Sequence, residues 1–223
     1  MIVDHKEGMH SLNDTWPDHG NIIQCAMLFL CMIKLDVLAI GSFQRDESGN
    51  VFDAHSSSVL IQTDERKIVV DTSTSYLKPA IKTSFKQIGV FPKDIDTVIL
   101  THSHLDHVGN NDMFENADIL MHPCECGDVS GAKPLDVGKE LVPGIKIVHT
   151  PGHTNGSISV FVQADQKYVV AGDAVPKYSN YEKMVPPAIN TDKELALESI
   201  KMITKYADVI IPGHDPPFIV NRR

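Results

Sequence analysis

Thr101-His102-Ser103-His104-Leu105-Asp106-His107 decides how this chain is read. Three imidazoles and a carboxylate crowd into the six positions from His102 to His107, directly after the apolar run Thr97-Val98-Ile99-Leu100. That run, taken from Asp96 to Leu100, reads as a buried strand. A folded core gains nothing from such clustering, because every buried polar group needs a partner. Imidazole and carboxylate are good zinc ligands, and a loop just past a strand end can turn them inward.

The same arrangement recurs three times downstream. His153 stands in Thr150-Pro151-Gly152-His153 after the strand Ile145 to His149. Asp173 stands in Ala171-Gly172-Asp173 after the strand beginning at Tyr168, and His214 in Pro212-Gly213-His214 after the strand Asp208 to Ile211. Any one of these alone reads best as a surface or core residue. Together with the His-x-His-x-Asp-His stretch they make seven ligand-type side chains at four strand ends, more than one tetrahedral ion can use.

Around these points the pattern is regular. Ile33 to Ile40 reads as a strand, and Ser58 to Thr63 with Lys67 to Asp71 as a hairpin turning at Asp64-Glu65-Arg66. Leu77, Ile81, Phe85 and Ile88 fall at helical spacing, which predicts an amphipathic helix over 76–88. A short helix near 111–114 and strands at 118–121 and 157–162 follow. Residues 122–143, rich in Gly, Pro, Asp and Cys, read as a long surface loop. Thr191 is the expected N-cap of a helix over 191–206, with Glu194 completing a capping box.

The 223 residues allow one domain or two very small ones. Residues 1–31 are polar and without period, and read as an N-terminal extension outside the core, leaving 32–223 as the domain. The net charge is −9, from 20 basic and 29 acidic residues, which disfavours broad nucleic-acid binding. Bound metal would add positive charge where a phosphate sits, so a compact nuclease stays in view. Cys25, Cys31, Cys124 and Cys126 fit no disulfide framework or zinc knuckle and read as free thiols of a reducing compartment. The longest apolar run, 25–33, is about half of what a bilayer requires, and the acidic residues before it do not suit an export signal. The expectation is a cytoplasmic protein that does not engage a membrane. Oligomeric state leaves no signal.

His-x-His-x-Asp-His followed by Gly-His, Gly-Asp and Gly-His resembles the metallo-β-lactamase superfamily, in order over residues 33–220. Val69-Val70-Asp71-Thr72 resembles the same family's early strand-end Asp motif. The short spacing and the ending Val209-Ile210-Ile211-Pro212-Gly213-His214-Asp215-Pro216-Pro217-Phe218 look most like its small single-domain members. The resemblance implies an α/β fold, an αββα four-layer sandwich with the site at one edge. It implies that His102, His104 and His153 hold one metal, that Asp106, His107 and His214 hold a second, and that Asp173 bridges. Asp71 matches a position that orients a ligand histidine. The implied cofactors are two divalent ions, zinc first, with iron or manganese as alternatives.

Two close ions can share a water and lower its pKa toward neutrality, and Asp106 is placed to help hold that water as a catalytic residue. No Gly-x-Ser-x-Gly elbow is present. The leading expectation is a hydrolase that uses a metal-bridged hydroxide to cleave an ester, thioester or lactone bond of a small molecule. The runners-up are a compact metal-dependent nuclease or phosphodiesterase, then an iron-dependent dioxygenase. The resemblance also narrows the branch. Asp173 stands where secreted β-lactamases lack a bridging carboxylate. Only nine residues follow His214, too few for the helical substrate domain of glyoxalase II-like members, and the chain has no room for the inserts of large RNA-processing members. Lactonase-like members place a Tyr soon after the bridging Asp, but Tyr178 and Tyr181 are not in register. Substrate contacts are unassigned: His55, His122, Cys124 and Cys126 read better as loop residues than as ligands, and Asn155 and Ser157 better as bystanders. A chain beginning at Met32 is expected to keep its metal content and thermal midpoint; loss of soluble expression on this truncation would show that residues 1–31 pack on the domain.

Overall fold

In the strand Ser58–Gln62, Val59 and Ile61 face one core while Leu60 faces another, and this period-two split repeats through two sheets. The computed structural model describes residues 32–221, so the expectation for residues 1–31 lies outside the described residues. In chain order the strands begin β1 (Lys34–Ala39), β2 (Ser42–Arg45), β3 (Val51–His55), β4 (Ser58–Gln62) and β5 (Lys67–Val70). Helix α1 (Lys78–Ile88), β6 (Thr97–Ile99), α2 (Leu105–Val108), β7 (Asp118–Met121) and β8 (Lys133–Pro134) follow. The second half holds β9 (Glu140–Val142), β10 (Ile145–His149), β11 (Ile158–Gln163), β12 (Lys167–Gly172), α3 (Tyr178–Lys183), α4 (Lys193–Tyr206), β13 (Val209–Pro212) and β14 (Phe218–Ile219).

One sheet has the order β1-β4-β5-β6-β7-β8, the other β14-β13-β12-β11-β10-β9, and β2 and β3 form a separate hairpin. Val59, Ile61, Ile68, Val70 and Ile99 of the first sheet meet Ile147, Ile158, Val160, Val170 and Ile211 of the second in a shared inner core. Leu60, Val69, Val98 and Leu100 face outward onto Ile81 and Phe85 of α1. Phe161, Val169, Ala171 and Ile210 face outward onto Ile200 and Ile203 of α4. Both faces of each central strand are therefore buried, which is why those strands read as continuous apolar runs. The result is the αββα four-layer sandwich.

Parallel pairing sets where the site lies. β5 runs beside β6 and β12 beside β13, so two pairs of strand ends finish together. At that edge the sheets are joined directly: the Ile158 amide donates to the Thr101 carbonyl at 2.9 Å, and the Ser57 amide to the Gly213 carbonyl at 2.7 Å.

Three expectations are corrected. Residues 122–143 are not a loose loop: they hold a 3-10 turn over Pro123–Asp128 and strands β8 and β9, and bury Glu125, Val129, Leu135 and Val142. Apolar side chains spaced too irregularly for either period still find the core. The α4 N-cap is Asp192, whose side chain accepts from the Leu195 amide at 2.9 Å, because the Thr191 hydroxyl turns instead to the Gly152 carbonyl at 3.2 Å. The helix over 76–88 opens with a 3-10 turn at Ser75–Leu77 before α1 proper. The hairpin β2–β3, α3 and β14 are additions. No helix among the described residues is long and apolar enough to cross a membrane.

Candidate metal centre

Asp71 leaves β5 with a left-handed backbone, φ 55°, a conformation that Asp tolerates better than most residues. This turn sends its carboxylate under the loop after β6. One oxygen accepts from the Thr101 amide at 2.7 Å; the other accepts from the Thr101 hydroxyl at 2.7 Å and lies 2.8 Å from His107 Nδ1. The loop is thus gripped at both ends of the His-x-His-x-Asp-His stretch.

The outer hydrogen bonds decide what each ring presents inward. The Thr101 hydroxyl has spent its proton on Asp71, so at 3.1 Å it accepts from His102 Nδ1. His153 Nδ1 donates to the Ile189 carbonyl at 2.8 Å, and His214 Nδ1 to the His55 carbonyl at 2.9 Å. His107 Nδ1 is directed at Asp71. With Nδ1 donating, the neutral ring leaves Nε2 as a bare lone pair. His104 is turned the other way: its Nδ1 lies 3.0 Å from both His102 Nε2 and His153 Nε2. One His104 proton cannot serve two acceptors. Nitrogens held about 2.0–2.1 Å from a tetrahedral ion stand about 3.3 Å apart, close to this spacing.

His102, His104 and His153 form one group able to hold a metal, Asp106, His107 and His214 another, and His102, His107 and Asp173 a third that overlaps both. Asp173 stands between the first two. One of its oxygens lies 3.5 Å from His107 Nε2 and 3.2 Å from His214 Nε2, and the other 3.4 Å from His153 Nε2. Asp106 lies 3.4 Å from His214 Nε2. Gly213 makes this possible, since a Cβ there would collide with Asp173 Oδ1. Among the described residues His107 Nε2 and Asp173 Oδ1 are buried with no hydrogen-bond partner, a cost that a cation would relieve. The donor set therefore fits divalent metal.

Left to protons alone, the cluster divides its charge unevenly. Burial, then the charge of His107, pushes His102 well below the usual imidazole range, and burial lowers His153 too. Burial also opposes charge on His107, but the Asp71 and Asp173 carboxylates outweigh it and hold that ring well above its ordinary value. His214 is raised in the same way: burial opposes, and Asp173 prevails. For Asp173 burial favours the neutral acid, yet His107 and His214 hold it well below the carboxylate range.

The remaining candidates fall elsewhere. His55 ends β3, its carbonyl supporting His214 while its ring meets Asp53 at 3.1 Å and Tyr76 at 2.9 Å. His122 stacks on His149 at 4.6 Å, and Cys124 and Cys126 are free thiols; none belongs to a metal-capable group among the described residues. Ser157 is buried and serves the turn through Thr154, and Asn155 faces Thr191. Tyr178 packs edge-on against Phe218 at 5.0 Å. Glu125, whose carboxylate reaches both histidine-bearing loops, went unnoticed in the sequence.

A cleft of about 470 Å³ opens onto His153, Asp173 and His214. Its wall is largely apolar, with Phe43, Val185, Pro186, Pro187 and Ile189 among the lining residues. Arg45 and Lys177 also line it. Lys177 donates to the Phe43 carbonyl at 2.6 Å, and both cations lie over the Phe43 ring.

The profile of the family described as the metallo-beta-lactamase superfamily matches residues 52–120 and 128–214. A Methanocaldococcus jannaschii protein whose name carries the words metallo-hydrolase is 44% identical over 148 residues, covering 66% of this chain and 70% of its own. Metallo-beta-lactamase domain-containing protein 1 of Xenopus laevis is 36% identical over 185 residues, covering 80% of this chain and 78% of its own. The crystal structure of Bacillus thuringiensis AiiA with N-decanoyl-L-homoserine bound at the active site superposes with a TM-score of 0.69 at 26% identity, covering 82% of this chain and 94% of that one. With well over half of its length matched by the family profile, the chain is a metal-dependent hydrolase of the metallo-β-lactamase superfamily.

Proposed function

We propose that two divalent ions, zinc in the first instance with iron or manganese as alternatives, are held by His102, His104 and His153 and by Asp106, His107 and His214, with Asp173 between them, to hydrolyse an ester, thioester or lactone bond of a small molecule. The observation that carries this is the pair of ligand groups meeting on Asp173 at the floor of an apolar cleft. The acyl-homoserine bound in the similar AiiA structure supports the substrate class. When bound, such ions supply Lewis acidity toward a carbonyl oxygen and acidify water near neutral pH. The chain does the rest. Asp71 and the carbonyls of Ile189 and His55 hold the outer Nδ1 atoms and so turn the Nε2 atoms of these rings inward. Asp106, 3.4 Å from His214 Nε2, would help hold the attacking water. Phe43 and the Val185–Ile189 segment shelter the acyl chain, and Arg45 and Lys177 meet a negative group at its far end. The free thiols of Cys124 and Cys126 support a reducing, cytoplasmic setting, and an acidic chain suits a small-molecule partner better than nucleic acid.

Asp173→Ala is expected to lose metal from at least one group and to lower turnover about a hundredfold or more, the scale of losing a main transition-state stabiliser. A fully active variant retaining its metal would place the shared carboxylate elsewhere. Substrate class is tested with neutral and terminally carboxylated esters, thioesters and lactones, beside a generic phosphodiester. The carboxylated acyl compounds should be preferred, and Lys177→Ala should lower kcat/KM for them about tenfold, the scale of a lost charge-assisted bond, while sparing the neutral ones. Turnover of the phosphodiester with none of the acyl compounds would replace this reading with a phosphodiesterase.

A further inference from the structure

We propose that Glu125 positions the three-histidine group by fastening the loop that carries His102 and His104 to the loop that carries His153. The inference rests on that group holding a divalent ion, as proposed above. Glu125 lies in the 3-10 turn Pro123–Asp128 and is only 5% exposed. One carboxylate oxygen accepts from the Ser103 amide at 2.6 Å, and Ser103 lies between His102 and His104. The other oxygen accepts from the Gly156 amide at 3.1 Å and from the Thr154 hydroxyl, on the residue directly after His153. The two loops leave different sheets, β6 from one and β10 from the other, so this single side chain spans the sandwich edge.

The chemistry requires a carboxylate. All three partners donate, so both oxygens must accept, and only an ionisable acid offers two acceptor-only ends of this length. A glutamine would aim its NH2 at the Ser103 amide or at the Thr154 and Gly156 donors, and repel one loop. Gly156 is part of the same device: a Cβ there would sit 2.7 Å from Glu125 Cγ and Oε1. Glu125 belongs to none of the metal-capable groups among the described residues, so it acts through the histidines and not as a ligand. Among the described residues its hydrogen bonds go to Ser103, Thr154 and Gly156 and to none of the groups that hold the other cluster. His107 is placed by Asp71, and His214 by the carbonyls of His55 and Ser42. A general support of the fold would move both clusters; a positioning residue of this kind moves one.

Cobalt(II) titration of the metal-free full chain, followed by visible absorption, separates these. His153→Ala and His214→Ala serve as references that assign each band to its group. Glu125→Gln should weaken cobalt at the three-histidine group about 10–100-fold, the usual scale for an outer partner of a ligand, and change the other group by less than about threefold. Thr154→Val, which keeps the carboxylate and removes one donor, should weaken the same group by a smaller factor, and it carries the test if Glu125→Gln does not fold. Unchanged affinity at the three-histidine group in the folded variants, or an equal loss at both groups, would overturn the proposal. Wild-type chain that takes up no cobalt would sink the metal reading itself, which the wild-type titration distinguishes from a failure of Glu125 alone.

Discussion

His104 Nδ1 lies 3.0 Å from both His102 Nε2 and His153 Nε2 with at most one proton to share, and this is the constraint on which the rest of the structure depends. A ring nitrogen left without that proton, and a buried carboxylate oxygen with no hydrogen-bond partner among the described residues, are unfavourable in an interior that cannot solvate them. The chain secures the arrangement from behind. A carboxylate, a hydroxyl and two backbone carbonyls take the outer protons of four rings, so the inner nitrogens have no choice of tautomer. Positive charge between them converts the repulsion into coordination.

The scaffold exists to hold that geometry. Two sheets share an inner core of Val and Ile side chains, and a helix covers each outer face. A close-packed interior of this kind deforms little. Parallel neighbours end together, so the loops after β5, β6, β12 and β13 start from fixed points on one edge. Hydrogen bonds between the sheets at Thr101 and Ile158, and at Ser57 and Gly213, lock the relative position of the two halves of the site.

Much of this is visible in the sequence because ligands follow strand ends. Apolar runs of strand length, each ending in a short turn and a His or Asp, place the candidate ligands before any coordinates are known. Local pattern fails where the decisive contact is distant. Glu125 sits in a stretch with no period, and its partners lie 22 to 31 residues away. His55 supports His214 through a backbone carbonyl, which no residue type announces. Thr191 has the residue preferences of an N-cap, but the Gly152 carbonyl captures its hydroxyl and Asp192 takes the role. The hairpin β2–β3, which brings Phe43 and Arg45 to the cleft, shows no alternation because burial changes along its length: Gln44, Arg45, Val51 and Phe52 at the turn end are exposed and the base is half-buried.

On the proposed reading, reactivity comes from the ions and selectivity from the cleft wall, so the number and position of the ions come first. Anomalous diffraction at the zinc edge, on crystals of zinc-loaded protein, measures both at once. The account predicts two strong peaks per chain, one among His102, His104 and His153 and one among Asp106, His107 and His214, with Asp173 in contact with both. A single peak at full zinc loading, or a second peak away from Asp173, would contradict it.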